Sequence, residues 1–362
     1  MEFGLSSEQT LLRDTLDHYL RERAPLERVR RFASGDEGRA RDLVAGLAEL
    51  GVSALLIPSA HGGIGMTALD ACVVSEALGY HVTPVAFTAN AAMVPSALLM
   101  AGSPAQQAEW LGRIADGSAI VGAALAELSG ARRDAGVTAD AGRLNGRALY
   151  VLDFQADAYL VADAQGGLHL VAADAPGLSR APLQTIDATR PIGELVFDSV
   201  AADPLPGASP AVCQRVLDIG RTMLSADTLG ASQAMIDQAV AYANQREQFG
   251  RVIGSFQAVK HLCAEMVASL EPTRSFVWYA GHALAELPGE SHLVACHLKA
   301  HISEVGKFVA KTATEVHGGM GFTDLLGLHY WFKRIGFNRQ LLGTPEWLRR
   351  EAARTQGLVQ AP

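Results

Sequence analysis

No stretch of this 362-residue chain stays apolar for the ~18 residues that a membrane-spanning helix needs. The N-terminus, MEFGLSSEQ, also lacks the basic and apolar regions of a secretory signal. Positive charge is not in excess. Thirty Lys and Arg stand against 38 Asp and Glu, a net charge of −8, and no basic cluster could neutralise a row of phosphates. Nucleic acid and membrane are therefore not expected partners. Cysteine is scarce: Cys72, Cys213, Cys263 and Cys296 are widely spaced and form no C-x-x-C pair. That pattern fits reduced thiols in a soluble, cytoplasmic protein better than a disulfide framework. Charged residues make up only 19% of the chain and hydrophobic ones 49%, which excludes a disordered polymer. A chain more than twice the ~150-residue domain prior should fold as two or three packed units.

What is present divides the chain into three regions, residues 1–117, 118–207 and 208–362. In the first, Leu11, Leu12, Leu16 and Leu20 recur at helical spacing after a capping Ser6 or Ser7, and Leu43, Leu47 and Leu50 mark another helix. A glycine-rich loop, IPSAHGGIGMT over 57–67, leads into a further helical stretch from Ala68 to Leu78, and one more helix is expected from Pro104 to Ile114. In the second region, short β-type runs at 120–121, 150–152, 168–171 and 194–197 alternate with Gly, Asp and Pro turns, the pattern of a small all-β domain. The third returns to long amphipathic stretches over 211–246, 256–284, 288–317 and 336–356, which reads as a bundle of long helices.

The densest chemistry lies in YANQREQFGRVIGSFQAVKHLCAE, residues 242–265. A helix carrying Arg246 ends near Gly250, a short turn follows, and a second helix opens at Phe256–Gln257. Such a corner suits a dinucleotide. Arg246 can clamp a pyrophosphate bidentately, the opening helix offers unpaired N–H groups, and Phe249 can lie against an aromatic ring. The same spacing also suits a plain helix corner whose arginine pairs with a carboxylate. A second patch, EVHGGMGFT over 315–323, ends a helix in Gly318–Gly319 and leaves the backbone bare for a ligand. It is no Rossmann fingerprint, because the helix precedes the glycines. His292 with Cys296, and His297 with His301, have the i, i+4 spacing of metal ligands. Glu304 lies about 10 Å along the axis from His297, too far to converge on one ion, so no metal site is expected.

Taken together, REQFGRVIGSFQAVKH, VHGGMGFT some 60 residues later and IPSAHGGIGMTALDACVVSEALG upstream resemble the acyl-CoA dehydrogenase family over nearly the whole chain. The resemblance implies an α+β fold with an N-terminal helical domain, a β-barrel-like middle domain and a C-terminal four-helix bundle. It also implies non-covalent FAD, with Arg246, Phe249, Gln257, Gly318, Gly319 and Thr344 at flavin-contacting positions, some of them serving the flavin of a neighbouring subunit. An acyl-CoA thioester substrate and an electron-transfer flavoprotein or similar acceptor follow from the same likeness. So does assembly as a homo-oligomer or as a heterotetramer with a related chain.

The departures bear on chemistry. The family's T-E-P-x-A-G-S-D loop corresponds here to ALAELSGARRDAG, which keeps only Glu127, and its G-x-K-x-W-I-T strand to GRALYVL, with Leu149 near the Trp position. This pattern resembles the heteromeric branch that acts on steroid and branched acyl groups. α-Proton removal needs a carboxylate base of raised pKa. The family's two base positions hold Leu342 and Gly220. The nearest acids on that helix are Asp218 and Asp227, and Asp227, two turns from Gly220 on the same face, is the candidate base. FAD-dependent α,β-desaturation of a bulky acyl-CoA is the leading expectation. A non-catalytic subunit, or a flavin oxidase or monooxygenase on the same scaffold, remains open.

Overall fold

A computed structural model describes residues 4–38, 40–130 and 135–359. The N-terminal part is helical: α1 (Ser7–Arg23), α2 (Leu26–Ser34), α3 (Arg41–Glu49), α4 (Ala68–Tyr80), α5 (Val94–Ala101) and α6 (Pro104–Ala115). Local chemistry starts these helices. Ser6 and Gln9 form a capping box at α1, and Ser103 and Gln106 form one at α6, where Pro104 takes the first turn. Helix α2 and the pair formed by α5 and the π-turn at Thr88–Met93 go beyond the sequence expectation. Leu16 and Leu20 are fully buried as expected, whereas Leu11 lies outside the stripe and is exposed.

The middle region holds two four-stranded sheets. One has the order β1 (Val121–Ala124), β4 (Ala158–Ala162), β5 (Leu168–Ala172), β8 (Asp203–Pro204). The other has the order β2 (Gly136–Asp140), β3 (Arg143–Val151), β7 (Gly193–Ala201), β6 (Leu178–Pro182). Among the described residues only β1 and β4 pair in parallel; the other neighbours are antiparallel.

Helix α7 (Pro210–Gln245) runs 36 residues and is the axis of the molecule. Beside it lie α8 (Gln257–Glu286) and α9 (Ser291–His317), followed by the shorter α10 (Leu328–Asn338) and α11 (Pro345–Thr355). A two-strand ribbon, β9 (Glu247–Gln248) with β10 (Arg251–Val252), joins α7 to α8. Helix α4 presses backbone to backbone on α7. A Cβ on Gly230 would meet the Glu76 carbonyl at 1.8 Å, and one on Gly79 the Asp227 carbonyl at 2.0 Å. One buried apolar cluster spans this crossing and joins the N-terminal helices to the C-terminal bundle. The single helix expected over 336–356 is instead two, broken where Gly343 adopts φ +115° and Thr344 caps α11 ahead of Pro345. Among the described residues no helix is long and apolar enough to cross a membrane.

Candidate functional site

The break between α10 and α11 shapes a cavity of about 350 Å³ between the bundle and the middle domain. Ser129, Gly130 and Tyr150 form one wall; Leu342, Thr344 and Trp347 form the other. Leu342 holds a left-handed φ of +55°, a conformation that costs a non-glycine residue about 1–3 kcal/mol and persists only where its surroundings impose it. Here Arg221 imposes it. This fully buried guanidinium donates through Nε to the Leu342 carbonyl at 2.9 Å, through Nη1 to Asp218 at 2.9 Å and through Nη2 to the Ser129 hydroxyl at 3.3 Å. It also lies 5.1 Å over the Trp347 ring. One cation thus holds three pieces of the wall.

The two family base positions are neighbours in space. A Cβ on Gly220 would lie 2.6 Å from Leu342 Cδ1 and 2.7 Å from Met93 Sδ, so apolar atoms occupy the place a carboxylate would need. Among the described residues no carboxylate lines the cavity. Glu127, on the 3₁₀ turn that supplies Ser129, points elsewhere and accepts a hydrogen bond from the Leu149 amide. The rest of that loop, residues 131–134, lies outside the described residues. Leu149 is buried and faces the core. Tyr150, one residue on and at φ +52°, enters the cavity, so the aromatic wall comes from Tyr150 and not from the position assigned to Leu149.

Asp227 is not placed to act as a base. Its carboxylate is buried, takes Arg334 Nη2 at 2.7 Å and Asn338 Nδ2 at 2.6 Å, lies 3.3 Å from Arg190, and is absent from the cavity wall. Burial opposes its charge, but Arg334 and Arg190 outweigh burial and hold the carboxyl below the usual aspartate range. The group joins the middle domain, through Arg190, to α7 and α10. The apolar run LSADTLGAS required a partner for this acid, and the partner lies 107 residues away in sequence.

At the other end of α7, Arg246, Gly318 and Gly319 come together around a second cavity of about 370 Å³, with Tyr242 and His317. Arg246 is exposed, and among the described residues no carboxylate pairs with it, unlike the arginine of a plain helix corner. A Cβ on Gly318 or Gly319 would meet nothing within 4 Å, so the backbone is open to a ligand. Phe249 projects from the ribbon tip at φ +54° and 92% exposure, edge-on to Phe256 at 6.1 Å. Gln257 is exposed and hydrogen-bonded to His261. Thr344 belongs to the other cavity. Gly220 and Arg246 are 26 residues apart along one continuous helix, about 39 Å at 1.5 Å per residue.

Of the helical metal-ligand pairs, His292 and Cys296 meet Asp218, with the ligand atoms all within 4.8 Å of one another. The carboxylate already serves Arg221, and His292 Nδ1 hydrogen-bonds to it at 3.0 Å, which makes the group an ion-paired cluster behind Arg221. Burial lowers the affinity of His292 for its proton, but Asp218 outweighs burial and the pKa rises to about 10.

Arg221, Tyr150 and Trp347 escape a reading of the sequence because they act across three segments. Tyr242 and His317 were within reach of one, lying four and one residues before Arg246 and Gly318.

Comparison with known proteins accords with this architecture. Residues 6–118 match the family model "Acyl-CoA dehydrogenase, N-terminal domain", and residues 211–357 match "Acyl-CoA dehydrogenase, C-terminal domain". The acyl-CoA dehydrogenase IpdE2 of Mycobacterium tuberculosis is 31% identical over 95% of this chain and 96% of its own length. FadE34 of the same organism is 33% identical over 91% of this chain, which spans only 44% of that relative. Among solved structures, the ChsE4–ChsE5 complex of M. tuberculosis superposes with a TM-score of 0.91 at 26% identity, each chain covered in full. A steroid acyl-CoA dehydrogenase variant, Tcur3481–Tcur3483, gives a TM-score of 0.87 at 28% identity, covering 97% of this chain and 98% of the other. The chain belongs to the acyl-CoA dehydrogenase family, whose cofactor is FAD.

Proposed function

We propose that this chain is the FAD-binding, base-less subunit of an acyl-CoA dehydrogenase that desaturates a bulky acyl-CoA thioester together with a related, base-bearing chain. The observation that carries this is the separation of about 39 Å along α7 between the cavity with Thr344 and the corner with Arg246, farther than one extended dinucleotide reaches. A flavin whose ring lies in one chain's cavity must take its phosphates from the corner of another. The residues fit such a ligand: an unpaired Arg246 for a pyrophosphate, open glycine backbone at Gly318–Gly319, and an aromatic-walled slot at Tyr150 and Trp347.

A flavin held there would supply the hydride acceptor for the β-carbon and would pass its electrons on to an electron-transfer flavoprotein or similar acceptor. This chain's own residues hold and orient. Arg221 fixes the wall that faces the thioester, Thr344 caps α11 at the cavity rim, and Arg246 offers charge-assisted hydrogen bonds to phosphate. Among the described residues no acceptor for the α-proton lines the cavity, since Leu342 and Gly220 present only carbon. The bulky acyl group rests on likeness to the steroid enzyme, and the second chain on likeness to the ChsE4–ChsE5 complex.

Co-expression with a homologous chain that carries glutamate at the position of Leu342 tests this. The expected product is a yellow complex near four times 38.2 kDa holding both chains. Recovery of only separate homomers, each reducing its flavin with acyl-CoA, would overturn it.

A further inference from the structure

His317 is the last residue of α9, 4% exposed, and its ring lies 4.7 Å from that of Tyr242 with a 32° tilt. Both rings line the corner cavity beside Arg246. Nδ1–H donates to the Ala313 carbonyl at 2.7 Å, which fixes the tautomer and leaves Nε2 with a lone pair. Among the described residues no donor reaches Nε2. Burial lowers the proton affinity of the imidazole, against the opposing pull of the Ala313 carbonyl, so the ring stays neutral at pH 7. With the residue largely buried, its Nδ1 locked and His317 lining the cavity, the unpartnered Nε2 is placed to receive a hydrogen bond.

We propose that His317 is the residue that recognises the adenosine half of the nucleotide, its Nε2 accepting an N–H or O–H hydrogen while Tyr242 offers a flat apolar face and Arg246 holds the phosphates. The chemistry separates the parts of the ligand. Arginine answers to negative charge and would hold any diphosphate, whereas a neutral imidazole acceptor requires a donor hydrogen at one place and so distinguishes adenosine diphosphate from pyrophosphate alone. This inference rests on the reading of the corner as a flavin-phosphate site and assigns to His317 what that reading leaves unassigned.

The test titrates the full chain with ADP by calorimetry, and with FAD and FMN by flavin fluorescence, in the parent, His317→Phe and His317→Gln proteins. Phenylalanine keeps an aromatic ring against Tyr242 and removes the acceptor; the glutamine side-chain oxygen restores one near Nε2. His317→Phe is expected to weaken ADP and FAD roughly three- to tenfold, the range of one neutral hydrogen bond, with His317→Gln close to parent and FMN unchanged in both. Parent-like ADP affinity in folded His317→Phe overturns the inference alone. Equal loss in the Phe and Gln proteins overturns it too, because a purely structural histidine would behave that way. A parent protein that binds neither ADP nor FAD brings down the reading of the corner as well.

Discussion

The two ends of α7 make opposite use of charge. At the corner, Arg246 is exposed and unpaired among the described residues, and the glycine backbone beside it is open. At the cavity, Arg221 is buried with every branch of its guanidinium engaged, and carbon fills the positions where a base would stand. A charge left free is available to a ligand, whereas one that is fully bonded holds architecture. The comparison teaches that recognition and chemistry are separable in this fold, because they depend on residues far apart on one rigid helix.

The largest effect should come from supplying what the cavity lacks. Leu342→Glu keeps the position and the Arg221 contact to its carbonyl and adds a carboxylate among apolar walls, which raise its pKa toward that of a useful base. Flavin reduction by acyl-CoA is expected to rise on the order of a hundredfold or more in anaerobic single-turnover traces. No gain would mean that the cavity lacks more than a base.

Next comes Asp227. Asp227→Asn removes the carboxylate that pairs directly with the buried Arg334 and Arg190 and leaves only the more distant Asp187 and Asp153 to balance them, so a loss of about 3–5 kcal/mol is expected in denaturant unfolding, with the FAD affinity of the folded fraction unchanged. Because the native pKa lies below the unfolded one, the parent ion pair contributes fully above the usual aspartate range and fades as pH falls through it. The variant should lose that part of the acid sensitivity. A stable Asp227→Asn protein with slowed flavin reduction would restore Asp227 as the base.

Arg246→Ala removes a charge-assisted contact worth about 1.5–3 kcal/mol, so FAD affinity should fall roughly ten- to a hundredfold with no change in melting temperature. Unchanged occupancy would make the two arginines alike and dissolve the comparison. The smallest effect is expected at His292. Its pKa is raised to about 10, so its pairing with Asp218 stabilises fully below the ordinary histidine value and is lost as pH climbs toward 10. His292→Gln should flatten the alkaline decline in melting temperature, leaving flavin affinity at the corner intact.

At the corner, the two local motifs that the sequence singles out meet in space, Arg246 from the end of α7 and Gly318–Gly319 from the end of α9, whereas Phe249 and Gln257 are not among the residues lining that cavity. The long helices were legible from their period. The cavity was not. Leu341 and Leu342 keep helical spacing across a break that Gly343, Thr344 and Pro345 announce, so the pattern predicts one helix over 336–356, where the end of α10 and all of α11 lie. Tyr150 follows Leu149 at an irregularity of the β3–β7 ladder, where its φ of +52° breaks the strand alternation and turns its ring into the cavity, which no period of two announces. Asp227 reads from the sequence as a candidate base, because its partners Arg334 and Arg190 lie beyond any local pattern.

The central claim is that this chain binds the flavin nucleotide but cannot take the α-proton by itself. Anaerobic mixing of the FAD-loaded homomer with a panel of acyl-CoA thioesters, from short chains to a steroid side chain, measures it directly. The account predicts that the flavin stays oxidised in the homomer and is reduced in the complex with the base-bearing chain. Prompt reduction in the homomer alone would contradict it.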